Sequence, residues 1–477
     1  MAVGAGFDWI SLAISLSSNP DYRVLLLESG GNPNPLQNVP AYFQSLLHIP
    51  EIDYGYYTVP QRNACLALKK HRSYWPRGMG LGGSSNLNTM IWQRSSPHDY
   101  DKWAKLSGSD EWKFENIFTN FKNIEDYHGQ YYNEKWHSQD GQGIYVSTAA
   151  HGNLVDEFFE AGREMGYPTK DVNGNQESSF SRLDLSIKDG RRFGAYQGFL
   201  EPVFNRTNLH IYRFARVNKI HLGKDNRAYA VTYKRHVPGQ LIAKTTHVNL
   251  ALGPKTAFRK LNTFSKQGLH LASAMAANAV ATFTVHLSEK EAEFWNKSPD
   301  IQCRLFPANP KTIHEALEVA ANVKPGLVRK YLSGLEEKDI FMVNVMLGKP
   351  SSRGDIKLAS TDPLESLIMD PKYFSHPDDI RRMVDGMKFT VQMVENTKAF
   401  QRIGARFTSR HFPGCEKYEL KTDQYYECCA RHMTFTVYHQ SGTCTMGYGP
   451  DDPKAVVDYK LRVLYTKGLR GGAFEDP

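Results

Sequence analysis

Long apolar runs are missing from this chain of 477 residues. No stretch of about 18 apolar residues occurs, which excludes a membrane-spanning helix. The nearest candidate, Leu271 to Leu287, is interrupted by Ser273, Asn278, Thr282, Thr284 and His286. Cysteine is scarce: the six, at 65, 303, 415, 428, 429 and 444, are too few for a disulfide scaffold. No C-x-x-C spacing occurs, so no zinc site is expected. Met1-Ala2-Val3-Gly4 offers neither a basic n-region nor an apolar h-region, so no signal peptide is read there. The N-x-S/T triplets at Asn205 and Asn296 matter only for a secreted chain. A surplus of one charge is also lacking. Lys and Arg number 58 against 50 Asp and Glu, a net charge of +8. Clusters such as Lys69-Lys70-His71-Arg72 are short, and no basic stripe interleaves with aromatics, so nucleic acid is not an expected partner. Apolar residues make up 41% and mean hydropathy is −0.50, below the roughly 45–50% apolar content of globular chains. The 25 Phe and 25 Tyr argue against disorder. There is no internal repeat or low-complexity tract.

What is present reads as mixed strands and helices. The first 31 residues suggest a glycine turn, a helix and a strand. Val24-Leu25-Leu26-Leu27 is the continuous apolar run of a strand buried on both faces. A Gly/Ser-rich loop fills 78–88, and residues 153–166 have helical spacing. Strands are expected at Leu209 to Tyr212, Val217 to Leu222, Ala228 to Tyr233, His247 to Leu252, Phe341 to Leu347 and Ile356 to Leu358. Ser375-His376-Pro377-Asp378 starts a helix, with Ser375 as the cap and Pro377 and the acids in its first turn. Ile380, Met383, Val384, Met387, Val391 and Val394 continue it as a core stripe.

Three stretches could carry chemistry. Gly4-Ala5-Gly6 lets a backbone turn tightly and approach a pyrophosphate at a helix N-terminus. Glu28 lies 22 residues beyond Gly6 at a strand end, where an acid can accept hydrogen bonds from a ribose. The third small-residue position of that turn holds Trp9, however, and overpacking there costs about 1–3 kcal/mol or more. Asp8 adds negative charge near any phosphate, and with only three residues before Gly4 a full first strand of about five residues cannot form. The 78–88 loop could bring backbone amides to a cofactor or act as a linker. Tyr438-His439-Gln440-Ser441-Gly442 offers His439 as a general base or as a hydrogen-bonded structural histidine.

In this order the motifs resemble the glucose–methanol–choline (GMC) family of flavin oxidoreductases, most closely its insect glucose-dehydrogenase-type branch. The resemblance runs from Val3-Gly4-Ala5-Gly6 and Val24 to Gly31 through Pro76-Arg77-Gly78-Met79-Gly80-Leu81-Gly82-Gly83-Ser84-Ser85-Asn86-Leu87-Asn88. It continues in His98-Asp99-Tyr100-Asp101, Gly162 to Pro168, Asn208-Leu209-His210 with Val217, and Ser351-Ser352-Arg353-Gly354. It closes with Ser375-His376-Pro377, Phe412-Pro413-Gly414-Cys415, Tyr438 to Gly447, Ala455 to Asp458 and Gly468-Leu469-Arg470. It implies an α/β fold: a Rossmann-like, dinucleotide (FAD)-binding domain with a second, α+β substrate domain carrying a mostly antiparallel sheet. The expected division is 1–262 for the FAD-binding region, 263–340 for a divergent middle segment and 341–477 for the substrate region. FAD is the implied cofactor. Gly4 and Gly6 would face its pyrophosphate, Glu28 its ribose, and Val217 its adenine end. Gly82 and Gly83 to Asn88 would run beside the flavin. His439 matches the family's catalytic histidine and would take the hydroxyl proton of a small alcohol or sugar as hydride passes to the flavin. A quinone, dye or oxygen would then accept the electrons.

Four departures from the family stand out: Trp9 with the short first strand, Ala257-Phe258-Arg259-Lys260 in place of the second signature, Ser95 in place of Gly, and divergence after Arg470. Together they suggest a truncated or misjoined form with impaired catalysis. The rival expectations are a non-catalytic relative without FAD, and an NAD-dependent enzyme, in which the 78–88 loop and the His439 segment would have no place.

Overall fold

The computed structural model describes residues 1–150, 152–174, 177–235, 279–283 and 299–471, with 279–283 by backbone alone. The expected strand at 247–252 and the departure at 257–260 lie outside the described residues. In chain order, the elements that position the site begin with β1 (Ala2–Val3), α1 (Phe7–Ser17) and β2 (Val24–Leu27). They continue with α2 (Val155–Glu164), β3 (Ser179–Arg182), β4 (Leu209–Tyr212) and β5 (Ala215–Leu222). Then come β6 (Ala279–Phe283), β7 (Ile301–Ala308), α3 (Ile313–Ala320), β8 (Ile340–Leu347), α4 (Pro377–Asn396) and α5 (Asp423–His432).

The N-terminal unit is a parallel sheet in the order β1-β2-β4. Ala2 and Val3 align with Leu26 and Leu27, and Leu209 to Tyr212 align with Val24 to Leu27. The central β2 is buried at Val24, Leu26 and Leu27, as a strand between two parallel neighbours must be. The first strand thus exists, but at two residues. Gly4 extends its ladder by donating to Leu27 O at 2.7 Å. Helix α1 packs Ile10 and Ala13 into the same core.

The second unit is an antiparallel sheet, β8-β7-β6-β3. Alternation gives it two different faces. Ile301, Cys303 and Leu305 of β7 join Phe158, Phe180, Met393 and Phe400 in a core beneath α2 and α4. Gln302 and Arg304 point the other way, into a cavity. Arg304 stands opposite Asn344 of β8.

Helix α4 begins at Pro377, and its cap is His376, not Ser375: the His376 Nδ1 accepts from Asp378 N at 3.2 Å. A residue preceding proline is driven into the extended region, and His376 has φ −94° and ψ 128°, so the cap falls there. The scarce cysteines do include one disulfide, Cys415–Cys428. It ties the Phe412-Pro413-Gly414 turn to α5.

A buried polar cluster stiffens the N-terminal half. His137 is 1% exposed and sits between two carboxylates, with Nδ1 2.8 Å from Glu125 Oε1 and Nε2 2.9 Å from Asp171 Oδ2. Tyr127 stacks on its ring, and Arg94 pairs with Glu125. Burial alone would lower the imidazole pKa, but the hydrogen bonds and charges of Asp171 and Glu125 outweigh it and raise the value above 6.5. A raised folded pKa means stability that is complete below the unfolded value and lost as pH climbs through the folded one. His137→Gln should therefore cost about 3–5 kcal/mol near pH 6, and the deficit against wild type should shrink as pH rises above the unfolded value. Urea denaturation of both chains across that pH range measures this; a deficit that does not change with pH would mean His137 is not charged in the fold.

Candidate active site

Two glycine-bearing stretches lock together at the C-terminal edge of the parallel sheet. The Glu28 carboxylate is the link. Its Oε2 accepts from Ala5 N at 2.7 Å, and its Oε1 accepts from Gly30 N at 2.8 Å and Gly80 N at 2.9 Å. Gly82 N donates to Ala5 O at 2.8 Å. Gly83 then crosses the turn at φ +53°, and a Cβ there would lie 2.7 Å from the Gly6 Cα. Only glycine serves at such a place. Burial lifts the Glu28 carboxyl above its usual range, and the backbone amides of Gly30, Ala5, Gly80 and Ser29 pull it back.

Trp9 does not crowd the Gly4 turn. The indole Cδ1 lies 3.5 Å from where a Gly4 Cβ would be, an ordinary contact, and the ring packs half-buried at the edge of the N-terminal core. Gly6, the N-cap of α1, stays open: a Cβ there would meet nothing within 4 Å, and no side chain caps the helix. Solvent reaches Asp8 beside it, yet the surrounding protein pushes its carboxyl up to about 6, against the pull of its own amide and of Arg77.

Val217 lies on β5, whose Ala215 N donates to Glu28 O at 2.7 Å. A bulge between Val217 and Lys219 turns the strand there. Gly4, Gly6, Glu28, Gly82, Gly83 and Val217 thus gather around one strand end.

Asn88 and His439 belong to a second place. Both line a cavity of ≈ 3390 Å³ bounded by the open face of the antiparallel sheet. Asn88, at the end of the glycine loop, joins the two places; its Oδ1 accepts from Arg192 Nη1 at 2.6 Å and Met90 N at 3.0 Å. His439 follows a bent backbone. Tyr438 has φ +72°, costly for an aromatic residue by about 1–3 kcal/mol. Its hydroxyl holds the bend by donating to Ala320 O, at the end of α3, at 2.6 Å. Solvent reaches the His439 ring through the cavity, while enclosure by protein, then the charges of Arg304 and Arg77, push its pKa below 6.5. Among the described residues it has no hydrogen-bond partner. The imidazole is therefore neutral at neutral pH and can accept a proton.

Sequence reasoning did not find Arg304, Gln302 or Gln93, which share this cavity. Only the alternation within residues 301–308 could have pointed to the first two. It also left Tyr438 unremarked beyond its place beside His439.

Residues 48–256 and 350–470 match the N- and C-terminal models described as GMC oxidoreductase. The chain belongs to the GMC oxidoreductase family. It is similar to glucose dehydrogenase [FAD, quinone] of Drosophila pseudoobscura pseudoobscura, at 29% identity over 98% of this chain and 81% of the relative. It is also similar to the oxygen-dependent choline dehydrogenase of Sinorhizobium medicae, at 28% over 98% and 89% of the two chains. Among solved structures, pyridoxine 4-oxidase from Mesorbium loti superposes with a TM-score of 0.74, at 22% identity over 98% of this chain and 92% of that one. Formate oxidase gives a TM-score of 0.71 at 18% identity, over 98% and 92%. These two likenesses establish the fold: a GMC-type α/β architecture with its small, mostly antiparallel sheets.

The interlock predicts opposite outcomes at two glycines. Gly83→Ala, strained at positive φ and pressed on Gly6, should lose about 1–3 kcal/mol of stability. Gly6→Ala, with φ −74° and open space, should fold as wild type. Chemical denaturation compares them; equal losses would refute the interlock.

Proposed function

We propose that this GMC family member is an FAD-dependent oxidoreductase acting on a CH–OH group of a small alcohol or sugar, with His439 as the proton acceptor. The observation that carries the reading is the pairing of an open helix N-terminus at Gly6 with a neutral imidazole in the adjoining cavity. The protein fits the cofactor at both ends. Backbone N–H groups of Gly6 and Phe7 at an uncapped helix start suit a diphosphate, and the space above Gly6 leaves it room. Glu28, at the strand end with Val217 nearby, suits the ribose and adenine. Gly82 and Gly83 to Asn88 would flank the isoalloxazine. The buried Gln440 Oε1, next to His439, has no partner among the described residues and awaits a donor.

When bound, FAD supplies the hydride acceptor. The remaining work falls to the chain. The cavity orients the carbinol and restricts water. His439 takes the hydroxyl proton on its unprotonated ring nitrogen, and the cations Arg304 and Arg77 keep that nitrogen free until substrate arrives. Under this reading residues 1–262 hold the nucleotide and 341–477 supply the base, while β7, within 263–340, walls the substrate space. The electron acceptor is a quinone, a dye or oxygen.

The second reading, a folded relative without catalysis, draws on the indole over Gly4 and on the unpartnered His439 ring. One experiment separates the two. The purified chain, reconstituted with FAD, should absorb near about 450 nm and oxidise an alcohol or sugar with a dye or quinone acceptor. His439→Asn should keep the flavin and lose about 10²–10⁴-fold in kcat. No flavin after reconstitution would overturn the proposal. Gly6→Ala, folded but with a methyl in the phosphate space, should release FAD more readily than wild type, as flavin fluorescence in the filtrate would report.

Asp8 adds a pH dependence. Above about 6 its carboxylate is charged, beside the helix start that would hold the diphosphate; below that it is neutral. FAD should bind more tightly near about pH 5.5 than near about pH 8. Asp8→Asn should abolish the difference, measured by flavin fluorescence titration; an unchanged difference in the variant would remove Asp8 from the account.

A further inference from the structure

Some carboxylates that line the cavity wall are paired with neighbouring cations. Asp99 pairs with Lys349 at 2.7 Å, and Asp300 with Arg382 at 2.9 Å. Arg304 is different. It projects from the middle of β7 into the cavity, and among the described residues no carboxylate pairs with it. Its charge persists in a setting where burial pushes the guanidinium down to about 10. Solvent reaches the half-buried guanidinium through the cavity, and with no carboxylate of the described residues beside it an arriving anion would meet an unneutralised charge.

The guanidinium is also held in one orientation. Its Nε and Nη2 both donate to Gln302 Oε1, at 3.1 Å and 2.8 Å. Gln302 Nε2 in turn donates to Gln93 Oε1 at 2.9 Å. That relay occupies one edge of the fork with a neutral acceptor and leaves the Nη1–Nη2 end without a partner among the described residues. Such an end receives the two oxygens of a carboxylate or phosphate side by side. Asn344 stands opposite Arg304 on β8 and adds an amide. Arg77, on the glycine-loop side of the same cavity, adds a second positive charge. The fields of both arginines reach His439.

We propose that the substrate alcohol carries an anionic group, a carboxylate or a phosphate, which Arg304 binds while the hydroxyl meets His439. This deepens the proposed oxidoreductase function and rests on it. It selects acids or phosphate esters of polyols over neutral sugars or cationic alcohols. It also gives the two arginines a purpose in the reaction. Before binding they disfavour a proton on His439; an anion seated on Arg304 offsets that field, so the imidazole becomes a stronger base when substrate is in place.

The test uses three ligands of one carbon skeleton, glucose, gluconate and glucose 6-phosphate, titrated calorimetrically into the full chain with and without FAD. At least one anion should bind about ten- to a hundredfold more tightly than glucose, the range of a charge-assisted contact. Preference for gluconate would assign a carboxylate substrate, and preference for glucose 6-phosphate a phosphorylated one. Arg304→Gln should erase the preference and Arg304→Lys should keep part of it. Thermal melting establishes that each variant folds. Equal affinity for all three ligands, or a preference that survives Arg304→Gln in a folded protein, would overturn the proposal. Failure of the flavin reading would register separately, as absent absorbance near about 450 nm, while calorimetry of the flavin-free chain still reports on the anion.

Discussion

A single carboxylate holds the strand end of the parallel sheet together. Glu28 is 5% exposed and collects amides from three separated points: the turn after β1, the residues just after β2, and the glycine loop some fifty positions on. Burying a charge costs several kcal/mol unless hydrogen bonds compensate, and here the compensating donors are all main-chain N–H groups. Two of those groups, on Gly30 and Gly80, can approach so closely only because their residues lack side chains. A Cβ on Gly30 would lie 2.5 Å from Gly80 N. The glycines and the acid are therefore one device: each makes the other affordable, and the helix start at Gly6 is open because the loop that crosses beside it is pinned from behind.

The cavity end is organised differently. Tyr438 carries backbone strain that a hydrogen bond to Ala320 O maintains, and His439 inherits its direction from that bend. Ala320 ends a helix whose core residues Ile313, Ala316 and Leu317 pack with Leu68, Val323 and Ile380. The position of one imidazole thus depends on packing drawn from three distant parts of the chain. Strain of this kind persists only where its surroundings over-determine it, and its location directly before the proposed proton acceptor is why it is read as functional.

Much of the strand end was legible in the sequence. Val24 to Leu27 is apolar enough to announce a buried strand, Leu209 to Tyr212 reads as a strand, and the glycines of 78–88 announce a backbone in close contact. Trp9 was misjudged for a physical reason. The ring packs half-buried at the edge of the N-terminal core beside the two-residue β1, and a Cβ at Gly4 would lie 3.5 Å from it. Glu28 was placed correctly at a strand end, but its three amide donors could not be foreseen, because they depend on where a loop 50 residues away returns. Arg304 was invisible for a related reason. Its significance lies in the absence of a carboxylate across the sheet and in the Gln302–Gln93 relay, both set by strand register, and register follows from packing that composition does not encode.

The two ends also differ in how they treat charge, and this bears on the reaction. At the strand end the fixed donors are dipoles, which suit a dinucleotide held for many turnovers. In the cavity the donors are full charges with spare valence, which suit a ligand that arrives and leaves with its own counter-charge. Arg77 stands between the two, in the cavity lining and close enough to Asp8 for their charges to interact. The field felt by a proton on His439 is therefore not a fixed property of the fold. It depends on what occupies each end, and a base whose strength rises only when an anionic alcohol is bound is protected from idle protonation when the cavity holds water.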